Sequence, residues 1–281
     1  MRKRRKTAVL LAGIIACLIL PACGNSGSNM PDLSALGAVN AIAREDGSGT
    51  KAEFEAMLKT SEDGVNAVAT STDEVEKLVA EDVSAVGYLA YSSSLAEDTI
   101  KTIQVDGREP SADNIRKGKY PLCRKYYLAY SGSLSALQQD FLSYVTSAGQ
   151  QIVDENCVSV NDASTFLSDR STGKLTITGS TSAAALIGKL ASDYKTYNPD
   201  AEIEVTATDS SQGLTAAIRG ECDFAISSRE LRDYERELLT AQAFAKDGIA
   251  IVVNRDNPVE GLSSRQIRTI YDGDCKKWDD L

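Results

Sequence analysis

The 281-residue sequence contains no histidine. This absence excludes Ser-His and Cys-His nucleophilic catalysis and removes the commonest protein ligand for metal ions. Cysteine is scarce, and the four cysteines beyond residue 30 stand singly without a CxxC pair, which argues against a zinc site. We therefore expect no enzymatic chemistry, no metal and no cofactor. Spacing alone leaves both disulfides and free thiols open for these four residues: Cys123, Cys157, Cys222 and Cys275.

Basic residues are also fewer than acidic residues in this chain. The chain has 30 Lys and Arg residues against 40 Asp and Glu, a formal net charge of −10. Such an acidic chain is not typical of nucleic-acid-binding proteins, so no nucleic-acid partner is expected. Any anion that it binds must be held by local dipoles and one or two cations, because the overall field repels it.

Long apolar runs are also rare, and the one at the N-terminus has the form of an export signal. Basic residues 2–6 precede an apolar stretch, Ala8 to Leu20, which is too short to span a bilayer. Leu20-Pro21-Ala22-Cys23 and the polar residues after it resemble a bacterial lipobox. We predict a signal peptide over residues 1–22, a lipidated Cys23 and a tether over 23–37, so that the protein is anchored at the extracytoplasmic face of the membrane. Cleavage before Cys17, or an ordinary signal with an incidental cysteine, remains open.

The rest of the chain repeats one pattern: a short apolar strand, a polar turn and a helix. Leu175–Thr178 is a predicted strand, and an apolar stripe from Leu186 to Tyr194 predicts the helix that follows. Ile203–Ala207 and Phe224–Ser227 begin similar units. Such alternation predicts an α/β fold with mostly parallel sheets. The polar residues 154–174 read as a linker.

Three turns have the composition of an anion site. In each, a strand end is followed by Gly, Ser and Thr and then by a helix: Gly47–Thr50, Gly179–Ser182 and Ser210–Gly213. A helix N-terminus offers unpaired N–H groups and a partial positive charge, and hydroxyls add further donors. One such turn alone is explained equally well by helix capping, in which Ser and Thr are favoured.

Arg44 is the candidate cation for this site. It lies at a predicted strand end, three residues before the first turn, where its guanidinium can fork onto two oxygens. Asp46 is expected to brace it as an ion-pair partner. The alternative is a surface ion pair of little consequence.

The segment Arg44-Glu45-Asp46-Gly47-Ser48-Gly49-Thr50 closely resembles the R-x-D-G-S-G-T segment of phosphate-binding proteins of phosphate ABC importers. The resemblance extends over nearly everything from residue 38 to 281, and its further similar segments are Gly87–Tyr88, Tyr120–Leu122, Thr178–Ser182, Ser210–Gly213, Asp223–Leu231 and Lys277–Asp279. The resemblance implies a type II periplasmic-binding-protein-like clamp of two lobes with the anion between them. It also implies an ABC permease as partner.

The order of the segments differs from that family. In the family the TGSTS-like turn opens the domain, whereas here residues 38–153 match its later half and 175–281 its earlier half. We interpret the chain as one circularly permuted domain rather than two fragments of a tandem array. Residues near Val39 should then lie close to Leu281. The implied lobes are residues 38–119 with 246–281, and residues 120–245, with crossings near Tyr120–Tyr126 and Phe244–Ile249.

By the same resemblance, one set of residues contributes a charge-assisted fork, hydroxyls and backbone N–H groups to phosphate: Arg44, Ser48, Gly49, Thr50, Thr181, Ser182, Ser210, Ser211 and Ser228. Ser228 falls where many family members carry an Asp that accepts the proton of hydrogen phosphate, and the adjacent Arg229 could add positive charge. This difference keeps other tetrahedral oxyanions, sulfate and molybdate, open as ligands. A ligand-sensing or surface-interaction role for the same fold also remains open.

Overall fold

The computed structural model describes residues 33–94 and 98–281, so Cys23 and the predicted signal peptide lie outside the described residues. The strands are β1 Asn40–Arg44, β2 Ala67–Ala69, β3 Ala85–Ala90, β4 Ile100–Val105, β5 Cys123–Tyr130, β6 Val158–Ser159, β7 Gly173–Ser180, β8 Ala201–Thr208, β9 Phe224–Ser227, β10 Thr240–Asn254 and β11 Gly261–Leu262. The helices are α1 Gly49–Leu58, α2 Thr72–Glu81, α3 Tyr91–Ser94, α4 Ala112–Arg116, α5 Ala136–Val145, α6 Gln150–Asn156, α7 Thr181–Tyr197, α8 Ser210–Arg219, α9 Asp233–Leu238 and α10 Ser264–Tyr271.

The strands form a mixed sheet, in the order β2-β1-β3-β10-β5-β9-β7-β8. The predicted α/β class is confirmed, and the pairs at both ends of this order are parallel. The prediction of mostly parallel sheets is wrong for the middle, where β10 runs antiparallel to β3, β4 and β5. The repeated strand-turn-helix pattern predicts the parallel ends, but it carries no information about a strand shared between them.

Strand β10 ties the two ends of the sheet together. Its first part, Thr240–Gly248, pairs with β5, whereas its last part, Ile249–Asn254, pairs with β3 and β4. At about 3.4 Å per residue, its 15 residues span roughly 50 Å. The apolar pattern by itself indicates only the part Ile249–Val253, because Lys246, Asp247 and Gly248 interrupt the apolar run.

Two aromatic cores lie along this strand and fix the helices that matter for the site. In one, Phe54 of α1 stacks on Tyr88 of β3 with ring centroids 3.9 Å apart, and Tyr271 of α10 meets Phe54 edge-on. In the other, Phe141 of α5 packs against Tyr194 of α7 with centroids 5.2 Å apart. Burial of large rings contributes much of the apolar stabilisation of a core. Each core therefore anchors one of the helices whose N-termini are described below.

The two ends of the described fold lie side by side. The N–H of Val39 donates to the carbonyl oxygen of Lys276 at 3.0 Å, and the N–H of Trp278 donates to that of Gly37 at 3.1 Å. Trp278 is fully buried, and its indole Nε1 donates to the carbonyl oxygen of Ser84 at 2.9 Å. The expected proximity of residue 39 to the C-terminus is met.

Two further features bear on the sequence interpretation. The segment without helix or strand runs over residues 160–172, shorter than the predicted linker of 154–174, because α6 and β6 extend to residues 156 and 159. Within residues 33–94 and 98–281, no helix has both the length and the apolar character needed to cross a bilayer.

Candidate anion-binding site

Each of the three predicted turns contains the start of a helix. Helix α1 begins at Gly49 behind the N-cap Ser48, α7 begins at Thr181, and α8 begins at Ser210. Aligned peptide dipoles give each N-terminus about half a positive charge, together with N–H groups that no carbonyl within the helix accepts from. All three helices begin earlier than predicted: α1 and α7 begin inside their predicted turns, and the predicted turn Ser210–Gly213 is the first turn of α8.

The fold brings these turns into direct contact, although two of them lie more than 130 residues from the first. The hydroxyls of Thr50 and Ser182 are 2.9 Å apart. The carbonyl oxygen of Gly47 accepts from the N–H of Ser211 at 3.2 Å and from its hydroxyl at 3.1 Å. Three helix N-termini therefore share one buried cluster of donors.

Gly49 is the residue that permits the closest approach. A Cβ atom at this position would lie 2.3 Å from the Oγ of Ser210 and 2.5 Å from the Oγ of Ser228. Both serines are fully buried, so neither has free space to retreat into. Gly179 likewise permits a close approach, here between β7 and β9, since a Cβ at this position would lie 2.2 Å from the carbonyl oxygen of Ile226. Glycine at both positions is a requirement of packing.

Helix capping accounts for only part of this composition. Asp209 caps α8 by accepting from the N–H of Gln212 at 2.8 Å, and Ser48 caps α1 with a long bond of 3.4 Å to the N–H of Lys51. Ser180, the N-cap of α7, makes no side-chain cap bond and instead donates to the Oγ of Ser228 at 2.9 Å. The N-terminus of α7 is therefore left without the side-chain acceptor that a capping role would provide.

Arg44 lies at the end of β1 and is 1% exposed. Its Nε and Nη2 donate to the two carboxylate oxygens of Glu45 at 2.7 and 2.8 Å. Nη2 also donates to the Oγ1 of Thr181 at 3.1 Å, and Nη1 to that of Thr72 at 3.4 Å. The predicted cation thus reaches the N-terminus of α7 directly.

The expected partner of Arg44, Asp46, does not contact it. The carboxylate of Asp46 is exposed and accepts from the Nζ of Lys51 at 2.8 Å, and this hydrogen bond and charge lower the pKa of Asp46. Glu45 takes the position beside Arg44 because its carboxylate meets both nitrogens of one guanidinium edge. Arg44 thus has an acidic partner, as predicted, but that partner is Glu45 and not Asp46.

Arg229, the second predicted supporting residue, contacts the cluster at its edge. Its Nη2 donates to the Oγ of Ser211 at 3.3 Å, and its Nη1 and Nη2 donate to the carboxylate of Glu235 at 2.7 and 2.8 Å. Its buried Nε has no hydrogen-bond partner among the described residues. The ion pair with Glu235 balances the charge of Arg229, so the anion cluster gains little net positive charge from it.

Two contacting residues were missed by the sequence interpretation. Thr72 lies at the start of α2, whose cap is encoded by Ser71 and Glu74, so a signal for this helix was present. Arg124 on β5 donates from Nη1 to the Oγ1 of Thr50 at 2.7 Å. Nothing in the local sequence distinguishes it from an ordinary strand residue. Its relation to the site depends on a contact between residues 74 apart.

Hydroxyl groups surround Ser228. Its Oγ accepts from the hydroxyl of Ser180 and lies 3.2 Å from the Oγ of Ser210, which in turn accepts from the N–H of Ser228 at 3.1 Å. In the described part of the chain, no carboxylate forms a hydrogen bond to Ser228. A hydroxyl can both donate and accept, so this end of the cluster has no fixed preference for a protonated or an unprotonated oxygen.

The described residues contain no group of three or more His, Cys, Asp or Glu side chains suited to a metal ion. The four described cysteines are free thiols, which resolves the alternative that spacing left open. A cavity of about 680 Å³ borders the cluster beside Gly47, Asp209 and Ser211, and one of about 360 Å³ lies beside Arg124 and Tyr127. The arrangement is suited to binding a small oxyanion by hydrogen bonds.

A buried carboxylate lies behind β1. Glu62 accepts from the hydroxyl of Tyr88 at 2.7 Å, and the same tyrosine oxygen accepts from the N–H of Arg44 at 3.1 Å. Burial raises the pKa of Glu62 to about 7, against the opposing effects of the Tyr88 hydrogen bond and the charge of Lys51. The second carboxylate oxygen of Glu62 has no hydrogen-bond partner among the described residues. The end of β1 is therefore linked to a group that titrates near neutral pH.

Comparison with known proteins places this geometry in a family context. The chain matches the family described as PBP superfamily domain over residues 26–148 and 164–281. It is 35% identical over 292 residues to the phosphate-binding protein PstS 2 of Streptococcus pneumoniae serotype 4, covering 99% of both chains. It is 32% identical over 297 residues to PstS 2 of Streptococcus agalactiae serotype V, covering 100% of this chain and 99% of the relative. The crystal structure of a phosphate-binding protein of a phosphate ABC transporter from S. pneumoniae superimposes with a TM-score of 0.70 at 35% identity, covering 87% of this chain and 100% of that one.

Replacement of Gly49 by alanine tests the packing of the cluster. The added methyl group overlaps two buried serine hydroxyls, so Gly49→Ala should destabilise the fold by about 1–3 kcal/mol and separate the turns. Gly188→Ala in α7 is the matched control, because nothing lies within 4 Å of a Cβ there; it should stabilise the helix by about 0.5–1 kcal/mol. Urea unfolding measures both. Equal stability of the two variants would contradict the close approach.

The stability of the protein should decrease with rising pH because of Glu62. Its folded-state pKa of about 7 lies above the ordinary value of 4.5, so the folded state holds the proton more tightly. The stabilisation is complete below about pH 4.5 and is lost as the pH rises through 7, by at most about 3 kcal/mol. Glu62→Gln should flatten this slope in urea unfolding between about pH 5 and 8.5, whereas Glu260→Gln, at an exposed carboxylate, should not. An unchanged slope in Glu62→Gln would refute the assignment.

Proposed function

The chain belongs to the PBP superfamily domain family, and on that premise we propose that it is an extracytoplasmic binding protein that captures phosphate and delivers it to the permease of an ABC importer. It binds its ligand without chemical conversion. Relatives that align with it from end to end carry the name phosphate-binding protein. The ligand, the permease and the transport role come to this chain from that relationship together with the site described above.

One observation carries the proposal: a buried arginine and the N-termini of two helices from distant parts of the chain meet in one cluster. Arg44 contacts Thr181 at the start of α7, and Thr50 at the start of α1 contacts Ser182. A tetrahedral anion entering this cluster exchanges hydroxyl–hydroxyl contacts for charge-assisted hydrogen bonds, which are roughly twice as strong. Helix N-termini supply the remaining positive potential.

The proposed ligand set keeps the residues inferred from sequence. Its members are donors at or next to the three helix N-termini, with Arg44 as the cation: Arg44, Ser48, Gly49, Thr50, Thr181, Ser182, Ser210, Ser211 and Ser228. Burial supports most of this set, since Thr50, Ser210 and Ser228 have no exposed surface. Ser48 is the weakest member, because its described contact is the cap bond to Lys51.

We further propose that the fold is a two-lobed clamp in circularly permuted order. The lobes are residues 38–119 with 246–281, and residues 120–245. The pairing of Val39 with Lys276 supports this order, because a permuted chain must bring the junction of the original termini together. The two aromatic cores and their shared strand β10 support the division into lobes.

Direct titration tests the ligand. Calorimetry with inorganic phosphate should detect saturable binding to the wild-type protein, and Arg44→Ala should weaken it by well over tenfold. Removing one partner of a buried, hydrogen-bonded charge pair costs roughly 2–5 kcal/mol. Arg116→Ala is the control, since this arginine is half exposed and pairs with Asp154 at the surface. Unchanged affinity in a folded Arg44→Ala protein would remove Arg44 from the site, and no binding by the wild type would refute the proposed function.

Competition between anions tests the role of Ser228. A site that rejects sulfate needs an acceptor for the proton of hydrogen phosphate, and a mismatched buried contact costs about 1–3 kcal/mol. Because Ser228 contacts hydroxyls, we expect phosphate to bind best with weak discrimination against sulfate and arsenate. Ser228→Asp should strengthen the discrimination against sulfate between about pH 6 and 8.5. Ser228→Asn is the control and should not, because asparagine has the size of aspartate but no charge. Tighter binding of sulfate or molybdate would show that phosphate is the wrong ligand.

The membrane anchor is a separate proposal, which rests on the sequence alone. A diacylated cysteine holds a protein at a membrane surface without a spanning helix. Cys23→Ser should release the protein into the medium or block its maturation, as followed by membrane fractionation. Cys17→Ser is the matched control and should leave the protein attached. A Cys23→Ser protein that is correctly processed and still membrane-bound would contradict the anchor.

A further inference from the structure

Arg124 is a second arginine in contact with the anion cluster, and its side chain is completely buried. Its Nη1 donates to the Oγ1 of Thr50 at 2.7 Å. Its Nη2 donates to the hydroxyl oxygen of Tyr126 and to Oδ2 of Asp247, both at 3.1 Å. The guanidinium therefore joins strands β5 and β10 to the first turn of helix α1.

Asp247 fixes the position of this guanidinium. Its Oδ2 also accepts from the hydroxyl of Tyr126 at 2.6 Å, and its Oδ1 accepts from the N–H of Ser92 at 3.1 Å. Asp247 is fully buried like Arg124, so the two charges balance each other away from the protein surface. A buried charge pair of this kind is costly to break on one side. Because Asp247 balances its charge, Arg124 adds a directed hydrogen-bond donor to the cluster and little net positive charge.

The hydrogen bond from Arg124 restricts where the hydroxyl of Thr50 can donate its proton. A threonine hydroxyl has one proton and two acceptor lone pairs, whereas a guanidinium has donors only. The N–H of Arg124 occupies one lone pair of Oγ1, so the proton of Thr50 must point to another acceptor. The Oγ of Ser182 lies 2.9 Å away, on the side of the α7 N-terminus, and by distance either hydroxyl can donate; the Arg124 N–H leaves Thr50 one free lone pair and so favours donation by Thr50. Donation from a charged group also polarises the hydroxyl and makes it a better donor.

Arg44 stands in the same relation to Thr181, to which its Nη2 donates at 3.1 Å. Two threonines at the starts of two helices are thus each approached by a buried arginine, and each must present its proton elsewhere. Both positions are suited to unprotonated oxygens of an anion. The proton of hydrogen phosphate is then left to the hydroxyls around Ser228, which can accept it.

Resting on the proposed function, we propose that Arg124 is a positioning residue for anion binding, which sets the hydroxyl of Thr50 as a donor toward a bound oxyanion. It acts through Thr50 and makes no contact of its own with the ligand. The proposal predicts that removing Arg124 and removing the Thr50 hydroxyl have the same consequence, because either change eliminates the same donor.

A double-mutant cycle with inorganic phosphate tests this coupling. Thr50→Val keeps the shape and removes the hydroxyl, and it should weaken binding by about tenfold or more, as expected for a hydrogen bond to a charged group. Arg124→Met should weaken binding to a similar extent, and the double variant should be no worse than the weaker-binding single variant. Thr50→Ser retains the hydroxyl and should remain within a few fold of wild type. Fold-changes that multiply in the double variant would overturn the proposal, as would full affinity in Arg124→Met.

Folding is controlled separately, because Arg124→Met leaves Asp247 without its partner. If this variant does not fold, Arg124→Met with Asp247→Asn removes both charges and takes its place in the cycle. Tyr144→Phe removes a partly buried tyrosine–aspartate bond in the core of Phe141 and Tyr194 and should lower stability without changing affinity. The same cycle is run on urea unfolding without phosphate, where additivity would contradict the Arg124–Thr50 contact itself. That measurement decides the contact even if wild-type protein fails to bind phosphate, an outcome that would refute the proposed function.

Discussion

The structure depends on one electrostatic constraint: an acidic chain must bind an anion with little help from its overall charge. The buried arginines near the cluster do not supply a surplus of positive charge, because each is paired with a carboxylate. Arg44 pairs with Glu45, Arg124 with Asp247 and Arg229 with Glu235. What remains unbalanced is the positive end of the helix dipoles and their unpaired N–H groups. Arg124 and Arg229 hold hydroxyls in place, Arg44 is the directed charged donor proposed for the anion, and the helices supply the net positive potential.

Such a site requires the helix N-termini to meet, and the aromatic cores and shared strand accomplish this. Phe54 fixes α1 against Tyr88 and Tyr271, and Tyr194 fixes α7 against Phe141. Strand β10 runs from one core to the other and pairs with β5 beside one core and with β3 beside the other. The Arg124–Asp247 pair bridges β5 and β10 beside the cluster. The strand that connects the two cores therefore also contributes a residue next to the cluster.

The sequence was sufficient for local features and insufficient for distant partners. The turns at Gly47, Gly179 and Ser210 were recognisable because glycine and hydroxyl residues before a helix have a local meaning. Helix α2 could also have been predicted from Ser71 and Glu74. The choice of Glu45 over Asp46 depends on side-chain rotamers at a strand end, and the Arg124–Asp247 contact joins residues 123 apart. No periodicity or spacing rule reports on contacts of either kind.

The hydrogen bonds of Ser180 distinguish a binding role for the α7 turn from a capping role. Both interpretations of a Ser- and Thr-rich turn require the same residues, so composition cannot choose between them. At α8 the cap is made by Asp209, which leaves the hydroxyl of Ser210 available to the cluster. At α7 the N-cap serine turns toward Ser228 and caps nothing. A helix that only needed to be stable would use this hydroxyl on its own N–H groups. Its use on a neighbouring turn instead leaves the start of α7 without a side-chain cap among the described residues, which suits a helix N-terminus that binds an anion.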